Sequence, residues 1–155
     1  MTMKAFLLAG ALTISGQAAA SEASPRDLTE HEKRVHDIYR DIIAFRTAAG
    51  HGQMDEMVTY LTDRLAEAGF PDQDLMVTDY DSDGDATQGL IVRYRGDGSS
   101  GEKPIVMLAH MDVVDALPED WEHDPFTLVE EDGYFFGRGT QDNKYGVANL
   151  TGTFI

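Results

Sequence analysis

The stretch Ile105-Val-Met-Leu-Ala-His110-Met-Asp112-Val-Val114 decides how this 155-residue chain is read. Its first five residues are continuously apolar, after Pro104 and a polar loop over residues 96–103. Such a run is the pattern of a strand covered on both faces, as in the core of an α/β sheet. At its carboxyl end stand a histidine and, two residues on, an aspartate. Functional groups of open α/β sheets collect at that edge. In an extended chain, side chains at i and i+2 share a face, so Asp112 is placed to hydrogen-bond and orient the His110 imidazole. A second constellation, Gly137-Arg-Gly139-Thr-Gln-Asp142-Asn-Lys144, follows at a later apolar-to-glycine junction. Its glycines let backbone approach closely, so Asp142 can bring another carboxylate to the same edge.

Outward from these stretches, the pattern alternates helices and strands. Thr29-Glu-His-Glu32 is a capping box, followed by apolar residues at Val35, Ile38, Tyr39, Ile42 and Phe45, a helical spacing expected to run to about Gly50. A second helix carries Met54, Met57, Val58, Leu61, Leu65 and Ala68, with Gly69 as its stop and the methionines as core filler. Strands are expected at residues 75–80 and 90–94, joined by the turn formers 81–85. A hairpin is expected about Glu131-Asp-Gly133, and a helix from Asn143 with Val147, Leu150 and Phe154. The expected fold class is α/β, a mixed central sheet flanked by helices.

Composition narrows the function. Twenty-eight acidic against 12 basic residues leave a formal charge of −16, which repels phosphate backbones and speaks against a nucleic-acid partner. With no cysteine, any zinc must be held by histidine and carboxylates. Residues 1–20 read as a signal peptide: Lys4, an apolar run from Ala5 to Ile14, and Ala18-Ala19-Ala20 before Ser21. That run falls short of the ~20 apolar residues of a membrane span, so a secreted or periplasmic protein, free of the membrane after cleavage at Ala20, is expected.

Two other motifs are weaker. Asp79-Tyr-Asp81-Ser-Asp83-Gly84 opens like a calcium loop, but its twelfth position is Leu90 and its flanks read as strands. The glycine-rich loop 96–103 leads into a strand instead of opening a helix, so its amides form no phosphate cradle. No G-x-S-x-G elbow for a serine hydrolase is present.

His110-Met-Asp-Val-Val114, Trp121-Glu-His-Asp-Pro-Phe126, Asp132-Gly-Tyr134 and the Gly137 to Lys144 stretch, in that order, resemble the motifs of the dizinc exopeptidases of peptidase family M20. Acetylornithine deacetylase, succinyl-diaminopimelate desuccinylase, aminoacylase, glutamate carboxypeptidase and the carnosinase-type dipeptidases are of this family. The resemblance implies a zinc-dependent hydrolase of peptide or N-acyl amide bonds in small substrates, using two zinc ions, with cobalt or manganese as substitutes. It implies that His110 ligates one zinc, that Asp142 bridges both, and that Asp112 orients His110 beside the reaction. It also implies a cis peptide at Asp142-Asn143, and leaves His123 a loop residue. Asp115 departs from the family's usual proline and Tyr145 from its usual glycine. The family's Glu-Glu motif, its remaining ligands and its lid domain, through which a homodimer would form, find no counterpart in residues 21–155. These are therefore expected to be the N-terminal part of a catalytic domain, inactive alone. A secreted, non-catalytic metal-binding or interaction module is the alternative, since it needs only His110 and Asp142.

Overall fold

The computed structural model describes residues 27–82 and 84–155, so the signal-peptide reading of residues 1–20 lies outside the described residues. Among the described residues the structure is α/β: three α-helices with two short antiparallel sheets. Helix α1 (Glu30–Ile43) begins with the expected capping box, in which Thr29 Oγ1 accepts from the Glu32 amide and Glu32 answers to the Thr29 amide. It ends earlier than the periodicity predicts. The Ala44 and Phe45 amides turn to the Asp41 and Ile42 carbonyls, tightening the last turn, and residues 44–53 become a loop.

Helix α2 (Met54–Glu67) buries Met57, Val58, Leu61 and Leu65, the predicted face. Its end is a Schellman motif: the Phe70 amide bonds to Leu65 O and the Gly69 amide to Ala66 O. Gly69 has φ of 97°, a conformation favouring glycine. The strands β1 (Leu75–Ser82) and β2 (Asp85–Val92) pair from Leu75↔Val92 to Ser82↔Asp85, a longer hairpin than the expected strand at 90–94. Main-chain pairing with β1 carries Ala86 and Gly89 into the ladder despite their weak strand preference. Asp74, buried beneath the hairpin's base, receives Arg95 Nε at 2.8 and 2.9 Å, and this pairing holds its carboxyl below the usual range.

The second hairpin, β3 (Val129–Glu131) and β4 (Tyr134–Phe136), turns through Asp132 and Gly133, both at positive φ (51° and 80°). This is the two-residue turn for which Asp-Gly is the preferred pair. Helix α3 (Lys144–Phe154) buries Lys144, Val147, Ala148, Thr151 and Gly152 against α1. Gly152 makes that approach possible, because a Cβ there would lie 2.4 Å from Val35 Cγ2. Ile38, Ile42, Ile43 and Met57 have no exposed surface, so the core sits among the three helices.

The organising run differs from its expected form. Residues 105–109 carry no strand assignment, and Ile105, Val106 and Leu108 are 86%, 76% and 87% exposed. An apolar run becomes a covered strand only when neighbours take up its amides and carbonyls. Among the described residues β2 pairs with β1 alone, and no strand pairs with 105–109. Ala109 at the end of the run and Met111 beyond it do pack on the core, which delivers His110 to the molecule's edge as expected.

Candidate metal and catalytic site

His110 leaves the exposed run just where the chain meets the core, and Asp142 precedes the first turn of α3. Thirty-two residues apart in sequence, they meet: His110 Nε2 lies 2.7 Å from Asp142 Oδ1. The other ring nitrogen, Nδ1, lies 3.1 Å from the Asp112 carbonyl and 3.3 Å from Asp112 Oδ1. All three residues singled out from the sequence are thus in one place, with Asp112 at the orienting end of the imidazole. The Asp142 hydrogen bond, foremost, raises the His110 pKa above its usual value.

Local sequence explains the Asp142 side. Gly137 (φ 157°) and Gly139 (φ 86°) bring the loop against Ile43, Val113 and Lys144, and a Cβ on Gly139 would lie 2.8 Å from Val113 Cγ1. The Asp142-Asn143 peptide is cis. Asn143 then caps α3, its Oδ1 accepting from the Gly146 amide. Lys144, fully buried, donates through Nζ to the Phe45 carbonyl, and burial pushes its pKa down to about 8.

The donor chemistry suits zinc, which takes imidazole nitrogen and carboxylate oxygen. His110 and Asp142 would hold such an ion in place of their direct contact. Among the described residues no group of three or more His, Cys, Asp or Glu side chains is arranged to hold a metal. His110 and Asp142 thus stand as two donors of the kinds zinc takes. His123 lies elsewhere, 3.5 Å from Glu131 and against the Phe136 ring on the second hairpin. A cavity of about 700 Å³ opens beside His110 and Asp112, its far wall formed by Tyr80, Thr87 and Gln88 of the first hairpin.

Sequence reading missed Arg46 and Thr47. Arg46 forms a two-pronged pair with Asp115, at 2.7 and 2.8 Å, that holds this carboxyl far below the usual range; His51 Nε2 lies 3.2 Å from the same carboxylate. Partners 69 residues apart leave no local pattern; the one signal was Asp115 itself, unusual for the family.

Comparison with known proteins shows what the chain is similar to. The profile of Peptidase family M20/M25/M40 matches residues 106–153, and over that segment the chain is similar to this family. The probable succinyl-diaminopimelate desuccinylase of Staphylococcus aureus is 34% identical over 129 residues, 82% of this chain and 29% of that protein. The N-formyl-4-amino-5-aminomethyl-2-methylpyrimidine deformylase of Bacillus subtilis is 26% identical over 125 residues, 79% of this chain and 28% of that protein. The N-fatty-acyl-amino acid synthase/hydrolase PM20D1 of Xenopus tropicalis is 58% identical over 47 residues, 30% of this chain and 9% of that protein. The chain thus spans less than a third of each of these relatives.

Proposed function

We propose that this chain supplies part of the active site of a zinc-dependent hydrolase that cleaves the peptide or N-acyl amide bond of small substrates. The observation that carries the proposal is the meeting of His110 Nε2 and Asp142 Oδ1, with Asp112 at the opposite ring nitrogen. The family match favours this reading over a non-catalytic module.

In this reading His110 and Asp142 are metal ligands. Asp112 accepts the Nδ1 proton and so fixes the tautomer that leaves the Nε2 lone pair for the metal. Asp142 suits a bridging place because a carboxylate offers two oxygens. Bound zinc would polarise the scissile carbonyl and lower the pKa of an attacking water; cobalt or manganese would serve the same purpose. The cavity between His110 and the first hairpin is where a small peptide or N-acyl amino acid would lie. Export belongs to the same proposal and rests on residues 1–20: the exported protein should begin at Ser21, as intact mass would read.

The test is zinc content and hydrolysis of a panel of dipeptides and N-acyl amino acids by the intact protein. His110→Ala and Asp142→Ala should each remove zinc and activity. Asp112→Ala should lose roughly 10–100-fold in zinc affinity or activity, as changes behind a ligand do. His123→Ala should behave as the wild type. Zinc lost with His123→Ala but kept with His110→Ala would sink the assignment.

A further inference from the structure

Three consecutive residues beyond α1 hold both loops of the site. The Phe45 carbonyl accepts from Lys144 Nζ, two residues past Asp142. Arg46 pairs with Asp115, three residues past Asp112. Thr47 takes hold of both neighbours of Asp112: its Oγ1 donates to the Met111 carbonyl at 2.7 Å, and its own carbonyl accepts from the Val113 amide at 3.4 Å. Thr47 is 3% exposed, so this hydroxyl bond is shielded from water. The tripeptide is itself braced. The Arg46 amide donates to Gln53 Oε1 at 2.6 Å, and the guanidinium lies over the Phe126 ring, 5.3 Å from its centroid.

We propose that Phe45-Arg46-Thr47 is the common mount that sets the separation of His110 from Asp142, with Thr47 and Arg46 as positioning residues. The physical reason is that the two loops otherwise meet through the His110–Asp142 pair, the contact of Val113 with Gly139, and a long 3.5 Å hydrogen bond from Arg138 Nη2 to the Asp115 carbonyl. None of these fixes how far apart the donors stand when an ion enters between them. A mount bonded to both loops does, since it can let the pair open by a small distance without letting the loops drift. A buried hydroxyl is a precise tether for this, because removing it leaves the Met111 carbonyl without its partner. That the mount serves a metal rests on the hydrolase reading above.

The test uses the intact protein and the isosteric change Thr47→Val, with Thr47→Ser as the conservative rescue. Zinc affinity is read by competition with a chromogenic chelator, and the His110 ring ¹⁵N shifts are read at fixed pH in the metal-free protein. Thr47→Val should weaken zinc binding by about 10–100-fold and move the ring shifts, and Thr47→Ser should return both to wild-type values. Should Thr47→Val fail to fold, Arg46→Met makes the same test at a more accessible position: zinc binding should weaken and the ring shifts should move, and wild-type values of both would overturn the mount. A Thr47→Val protein that melts earlier but keeps wild-type zinc affinity and ring shifts would overturn the mount, leaving Thr47 a packing residue. If the wild-type protein takes up no zinc, the metal reading falls, and unmoved ring shifts in Thr47→Val would then overturn the mount separately.

Discussion

The isoleucines of α1 and the apolar residues of the run at 105–108 are alike in side chain and opposite in fate. Ile38, Ile42 and Ile43 are wholly buried, whereas Ile105, Val106 and Leu108 stand open to solvent. The difference lies in the backbone. A helix closes its hydrogen bonds within itself and needs only one face covered, which α1, α2 and α3 do for one another. A strand's amides and carbonyls need a neighbouring strand, and among the described residues none pairs with 105–109. Hydrophobicity says that a segment should be buried; it does not supply what buries it.

The sharpest way to break this comparison is truncation in the core. Ile42→Ala should cost about 2–5 kcal/mol in urea unfolding, from lost transfer energy and a residual cavity. A cost below about 1 kcal/mol would mean that the core is looser than its burial indicates. Next comes Tyr39, whose hydroxyl donates to the Thr140 carbonyl at 2.7 Å and whose pKa burial raises to about 12. A raised pKa means that the folded state holds the phenol proton more tightly than the unfolded chain does. Its stabilisation is therefore complete below pH ~10 and is lost as pH climbs to about 12, by some 2–3 kcal/mol. Tyr39→Phe should flatten that part of the stability–pH curve; an unchanged slope would show that the phenol is not sheltered.

Gly152→Ala tests the α1–α3 contact. Helix propensity alone would make the change favourable by up to about 1 kcal/mol. The clash with Val35 should outweigh it, giving a net loss of about 1–2 kcal/mol, with Val35→Ala relieving the loss in the double variant. Stabilisation by Gly152→Ala alone would place the helices further apart than described. The smallest effect belongs to the other side of the comparison. Val106→Thr, at an exposed position, should stay within about 0.5 kcal/mol by thermal melting. A loss equal to that of Ile42→Ala would show Val106 to be covered in solution.

What was legible in the chain follows the same division. The Thr29 box, the faces of α1 and α2, the Gly69 stop and the Asp132-Gly133 turn were readable because each depends on residues within a few positions of one another. The α3 face was only partly readable: Val147 was expected and found, but the buried side runs through Lys144, Ala148, Thr151 and Gly152 because α1 lies there. The β1–β2 hairpin was read in part: both strands were expected, but the 85–89 half of β2 escaped notice because it is held by its partners across the hairpin.

For the candidate site, residue types and order were enough to single out His110, Asp112 and Asp142, since ligand chemistry belongs to the side chains themselves. The i+2 spacing also placed Asp112 at the His110 ring. That Asp142 stands 2.7 Å from the same ring is decided by tertiary structure alone, and so is the grip of Phe45, Arg46 and Thr47 on both loops. Contacts across 32, 69 or 99 residues depend on how three helices pack, and packing is a property of many distant side chains at once.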